Sequence, residues 1–423
     1  MKILIFLNGL GVGGTEKAAC RWARGLRERG HSVAALTLAD GPRRSEMESA
    51  RVSVRVIGAG STEQGAGELA AVLRELRPDV IHAHAPGFPH AGDVLGAALG
   101  LLPEKIPVVQ TNIFGLLENP REEEWTDFRL FVSWTGCVQA ARRRFRRLDE
   151  HFFRRNSVAV NPLDPDDGPD AAVVNQFRQV HGIRPDEVVF GHLGRPDPIR
   201  WNLLPIEAFR RALRRHGRIK LLLREPPPEI AAALRRGPDA ERFLILPVTT
   251  DPGELRLTTA AMDVVLHYSQ IGESFGYGIA EPMNLGKPAI VNSTPWRFQA
   301  QIELARHGEC GLVAGTRSAM TQAISKLAED HSLRQKMGWQ ARQHIRRLTD
   351  PDVSTGRLET ILRAAIEGHD NPLATADLAR ARAAANYLDE QQFGHSWLEQ
   401  LTLRPFHYRV RFHEFREALK SNF

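Results

Sequence analysis

Lys2-Ile-Leu-Ile-Phe-Leu-Asn-Gly-Leu-Gly-Val-Gly-Gly-Thr-Glu16 holds an unbroken apolar run, a glycine-rich turn and the start of a helical pattern. A strand buried on both faces reads as a continuous apolar run, whereas a half-buried strand alternates. The helical pattern continues to about residue 29, with Gly30 where a helix C-cap belongs. Further strand signals follow at residues 32–38, 52–57, 79–84 and 106–111, with a helix near 67–76. Strands alternating with helices predict a doubly wound parallel sheet.

A second series of the same kind runs through strands at 188–193, 219–223, 243–246, 264–268 and 289–292, with a helix over 205–215. Between the two series, residues 158–170 turn rich in proline and acid, the composition of a linker. The chain of 423 residues is longer than one core usually serves, which also favours two domains. We therefore expect a first Rossmann-like domain over 1–162 and a second over 163–345, with a helical tail over 346–423 that packs back on the first. Open parallel sheets bind ligands beyond the carboxyl ends of their strands, so two facing sheets would form a cleft.

Hydrophobic residues at 42% and charged residues at 25% are ordinary for a globular protein. The net charge of +6 suits an anionic ligand. The arginines are scattered along the chain, so no nucleic-acid partner is expected. Cys20, Cys137 and Cys310 are too few and too far apart for a disulfide framework or a metal site, which fits a reducing cytoplasm. The first apolar run is broken by Asn8 and Gly9, unlike a signal peptide, and no stretch reaches membrane-spanning length.

Glu273-Ser-Phe-Gly-Tyr-Gly-Ile-Ala-Glu281 brackets a glycine-bearing helix start with two carboxylates. Backbone amides at such a start, with the helix dipole behind them, suit a diphosphate or a sugar oxygen. Glu281 would lie about two turns along the helix from Glu273, so one acid can meet a sugar while the other reaches a nucleoside. A second constellation, Gly194-Arg195 followed by Arg200, comes directly after the first strand of the second series.

The Glu-x-Phe-Gly-x-x-x-x-Glu pattern resembles that of the retaining glycosyltransferases of family 4, which have the GT-B fold of two facing Rossmann-like domains; the resemblance implies that residues 1–162 form the acceptor side and residues 163–345 bind the nucleotide-sugar donor. The resemblance implies that Glu273 contacts the donor sugar and Glu281 the ribose hydroxyls, with Ser274, Phe275, Gly276 and Tyr277 near sugar and diphosphate. It implies that Arg195 and Arg200 stabilise the leaving diphosphate, although lysine is usual at the second position and a guanidinium fork is not a point donor. The loop containing Gly13 and Gly14 resembles the one that closes over the donor. The family commonly carries a histidine after the strand that ends here near Thr111, where Asn112 is the nearest polar substitute. His84, at another strand end, is a further candidate contact for sugar or acceptor.

The implied activity is retaining, metal-independent transfer of a sugar from a nucleotide-diphosphate donor, a UDP-sugar before a GDP-sugar, to a hydroxyl acceptor. That acceptor is a glycan, a lipid-linked saccharide or a small metabolite, and no cofactor or metal is expected. The basic stretch 140–155, with Phe145, Leu148 and Phe152 at helical spacing, reads as a helix that packs by its apolar stripe or docks on an anionic membrane. A sugar-nucleotide epimerase and a non-catalytic nucleotide-sugar-binding subunit are the alternatives. Oligomeric state is open.

Overall fold

The computed structural model of the chain describes residues 1–58, 60–85, 89–113, 122–194, 196, 201–393 and 401. They form two compact units, one of residues 1–164 with 349–385, the other of 165–348 with 386–393 and 401.

The first unit is built on a parallel sheet of β1 (Lys2–Leu7), β2 (Ser32–Thr37), β3 (Ser53–Val56), β4 (Val80–Ala85), β5 (Val108–Asn112), β6 (Phe128–Phe131) and β7 (Asn156–Val158). Their order is β3-β2-β1-β4-β5-β6-β7. β1 pairs with β2 from Lys2↔Ser32 to Leu7↔Thr37 on one side and with β4 on the other. That central place explains why Ile3 to Leu7 are all buried and why the strand reads as continuously apolar. On one face, Leu69 and Leu73 of helix Thr62–Leu76 and Val94 and Leu95 of helix Pro89–Gly100 close over Leu4, Phe6, Leu36 and Ile81. Elsewhere helix Gly14–Glu28 buries Trp22, Ala23 and Leu26.

Helix Pro351–Glu367 packs against β4, β5, β6 and helix Gly14–Glu28. Trp22 Nε1 donates to Ser354 Oγ at 3.3 Å. Arg357 pairs with the fully buried Asp377, which also accepts from Ser157 Oγ at 2.6 Å. A carboxylate taken out of water needs such partners. The described tail therefore does not pack as one piece: residues 386–393 belong to the second unit, where Tyr387 Oη donates to the Ile302 carbonyl at 3.1 Å and accepts from the His307 amide at 2.9 Å.

The basic stretch is not one helix. Helix Trp134–Ala140 runs into a π-helical turn, Ala141–Phe145, which ends at Arg146 with φ +50°, and a short helix, Glu150–Phe153, begins after the Asp149 cap. The chain breaks there because a left-handed residue cannot continue a helix. Phe152 turns into the core, stacked on Phe131. Among the described residues no helix is long and apolar enough to cross a membrane.

The second unit carries β8 (Val188–Leu193), β9 (Ile219–Arg224), β10 (Phe243–Leu246), β11 (Val264–His267), β12 (Ala289–Val291) and β13 (Gly311–Val313), parallel and ordered β10-β9-β8-β11-β12-β13. Phe190, Phe209, Leu221, Leu266, Ile290 and Ile324 centre its main core. Asp166 and Asp167, read from sequence as lying in a linker, are held by arginines: Arg256 grips the first and Arg346 reaches the second at 2.8 Å. In each sheet the strand order reverses beside the first strand, between β1 and β4 and between β8 and β11. That reversal is where doubly wound sheets open a crevice at their carboxyl ends.

Candidate active site

In the second unit the two strands at the reversal end side by side, β8 at Leu193 and β11 at His267. Beyond β11 the chain turns at Gly272, φ +70°, where a Cβ would collide with the Phe298 carbonyl oxygen. Glu273 follows. Its backbone amide donates to Gln301 Oε1 at 2.9 Å, and its carbonyl accepts from the Ala300 amide at 2.9 Å. Its carboxylate oxygen Oε1 stands 3.2 Å from Nε2 of His267.

Gly276 caps the helix Tyr277–Asn284 from the left-handed region, φ +98°. A residue with a Cβ would be strained there, which is why glycine stands between the carboxylate and the helix. The amides of Ile279 and Ala280 both return to the Gly276 carbonyl, at 3.0 and 2.9 Å. Gly278 brings the helix start against the end of β8: a Cβ there would lie 3.1 Å from the Leu193 carbonyl oxygen. Phe275 is buried, its ring edge-on to Tyr277 with centroids 4.8 Å apart. Ser274 and Glu281 are half-buried, Glu281 in the second turn of the helix. The Glu273–Glu281 segment is thus one turn-helix unit whose helix start abuts the end of β8. Arg195 and Arg200, expected directly after β8, lie outside the described residues.

Two histidines that the sequence reading passed over complete the site. His192 of β8 and His267 stack with ring centroids 5.0 Å apart and 22° between planes. His192 Nδ1 donates to the Leu266 carbonyl at 3.1 Å, and Trp201 meets it edge-on at 4.4 Å. Burial, with His267 as a lesser cause, pulls the His192 pKa down to about 3, so the ring is neutral. A small pocket, partly open to solvent, adjoins this ring and is lined also by Trp201, Asn202, Leu266 and Tyr268. In the sequence each is only a histidine near a strand end, and the fold is what brings the two together.

The remaining candidates lie in the first unit. Gly13 caps helix Gly14–Glu28 in ordinary extended backbone, φ −67°, and a Cβ there would meet the Glu16 carboxylate. Asn112 ends β5 and is buried. His84 is only 2% exposed. It packs 4.3 Å from His82 and 5.6 Å from Trp22, with neither ring nitrogen partnered among the described residues. Burial holds it well below the usual histidine range, so it stands as a neutral core residue rather than an open contact. Among the described residues no three His, Cys, Asp or Glu side chains are placed to hold a metal ion.

Residues 13–194 match the family model of a glycosyl transferase 4-like domain, and residues 175–344 that of glycosyl transferases group 1. No curated protein matches the chain by sequence. Among solved structures, Anabaena Alr3699/HepE in complex with UDP and glucose is similar at a TM-score of 0.70 and 20% identity, covering 86% of this chain and 100% of that one. A glycosyltransferase from Rickettsia africae ESF-5 is similar at 0.70 and 14%, covering 86% and 98%. WaaG, a glycosyltransferase involved in lipopolysaccharide biosynthesis, is similar at 0.61 and 14%, covering 85% and 99%. At such identities the likeness speaks for the fold, and the chemistry rests on the two domain models. Matched one after the other along residues 13–344, on two parallel-sheet units with a common strand order, they make the chain a glycosyltransferase of the GT-B type.

Proposed function

We propose that the chain is a retaining, metal-independent glycosyltransferase of family 4 that moves a sugar from a UDP-sugar to a hydroxyl acceptor. A GDP-sugar is the second candidate donor. The observation that carries the reading is Glu273 at the carboxyl end of the reversal pair, its backbone clamped and its carboxylate directed by a neighbouring histidine, just ahead of a helix start. The similar Anabaena structure holding UDP and glucose supports the donor class.

In this reading Glu273 meets the donor sugar, and Glu281, in the second turn of the helix that follows it, takes the ribose hydroxyls. The helix start faces the diphosphate with its positive dipole end. Arg195 and Arg200 stabilise the charge that develops as the diphosphate leaves. The acceptor hydroxyl attacks from the side the diphosphate departs, and the departing phosphate oxygen takes its proton. No side-chain base is then required, and the protein's contribution is orientation and charge stabilisation.

The test is nucleoside diphosphate release from a panel of nucleotide sugars, with and without a panel of glycan, lipid-linked and small hydroxyl acceptors, in excess chelator. Acceptor-dependent UDP release, with the donor's anomeric configuration kept in the product, is expected. Conversion of the donor sugar without acceptor would make the protein an epimerase. Binding of donor with no release under any acceptor would make it a binding subunit, and a strict need for added divalent metal would overturn the metal-independent scheme.

A further inference from the structure

His267 is the last residue of β11, six positions before Glu273, and is 6% exposed. Its Nε2 lies 3.2 Å from Glu273 Oε1. An ionised carboxylate only accepts, so the proton in this bond belongs to Nε2. The ring stacks on His192, which is locked in turn by the Leu266 carbonyl and by Trp201. The second nitrogen, Nδ1, is buried with no partner among the described residues. Filling this space alone would call for an apolar side chain, which would strand no polar atom. A histidine here earns its place through Nε2.

We propose that His267 is a positioning residue for transfer: its Nε2–H holds the Glu273 carboxylate in the orientation from which that group meets the donor sugar. The proposal rests on the role given to Glu273 above. The backbone of Glu273 is secured independently by Gln301 and Ala300. Removing the imidazole therefore takes this directing bond from the carboxylate without releasing the turn that carries it. His192, held neutral by burial, supplies the flat surface that sets the plane of the His267 ring. The pair belongs to this chain's own solution for directing an acid at a strand end: one histidine oriented by the backbone, the second oriented by the first, and the carboxylate oriented by the second.

Two measurements test it. In the apo protein, imidazole ¹⁵N spectra at about pH 8, above the ordinary histidine range, should show His267 as the Nε2–H tautomer, and Glu273→Gln should shift those signals. With donor and acceptor, His267→Ala should lower kcat by about 10- to 100-fold, the scale of a misaligned group, while affinity for UDP stays within about twofold. His267→Gln, whose amide nitrogen can reach the same oxygen, should recover most of the loss. In a Glu273→Gln background His267→Ala should cost little more, since the two act as one unit. An Nδ1–H tautomer, an unchanged kcat in folded His267→Ala, or losses that simply multiply would each overturn the proposal. The spectra need neither turnover nor a known donor. A protein that transfers no sugar would thus defeat the functional reading while the pairing is still judged, and the wild-type and Gln forms decide the matter should the Ala form not fold.

Discussion

The Glu273 amide and the Gln301 side-chain oxygen are 2.9 Å apart across 28 residues of chain. This bond ties the turn after β11 to the helix after β12. Gln301 is fully buried, and its amide nitrogen also donates to Thr294 Oγ1 at 2.8 Å and to the Asn292 carbonyl at 3.2 Å. Gln301→Ala leaves a buried donor and acceptors unmet at once, with a cost of about 1–3 kcal/mol for each stranded group. Urea unfolding should show a lowered midpoint, and transferase activity should fall with it even where the protein remains folded. An unchanged midpoint would mean that the clamp is ornamental.

Gly276 must sit at φ +98° for the helix to start where it does. Gly276→Val should destabilise by about 1–2 kcal/mol or more, because a β-branched residue also crowds Glu273, whose Cβ lies 3.3 Å from the position a Cβ at 276 would take. Gly276→Asn should be milder, since asparagine visits the left-handed region more readily. Thermal melts rank the two, and equal losses would contradict the backbone argument.

Glu273→Ala and Arg195→Ala are each expected to reduce transfer to background while the melting temperature falls by no more than about 4 °C, the scale of about 1 kcal/mol. Circular dichroism together with product release checks both halves of the statement. Wild-type turnover by either variant would remove that residue from the site.

Acid stability should be set by buried histidines. His82 and His192 are drawn down to about 3 by burial, and His344 to about 4, chiefly for the same reason. Each unfolded ring takes a proton near its ordinary value of 6.5 while the folded one does not. Their contribution is therefore complete above about pH 6.5 and lost as pH falls toward 4 and 3. Urea midpoints measured from pH 7 to pH 4 should decline steadily, and His82→Asn should flatten part of that slope. A flat profile would show that water reaches these rings.

How much of this was legible beforehand depends on what each residue's neighbours are. β8 and β10 were read at their observed bounds because each is an apolar run between turn signals. β6 and β13 were missed: four and three residues are too short to display a period. Glu273, Gly276 and Glu281 announce themselves by type and spacing along one segment. Gln301 and the His192–His267 pair could not, because what they do depends on residues 28 and 75 positions apart being folded together. The basic stretch 140–155 misled for the opposite reason. Its spacing suited a helix, yet Arg146 leaves the helical region and Asp149 begins another helix.

The buried bond between Arg357 and Asp377 has a consequence for biosynthesis. On the ribosome, β4 to β6 emerge long before the helix that covers them, and every strand of the other sheet is made in the interval. The earlier sheet must wait with the β4 to β6 part of one face uncovered by that helix. A nascent chain halted before residue 351 should therefore bind a holdase and yield to protease in its first 164 residues while its later sheet resists.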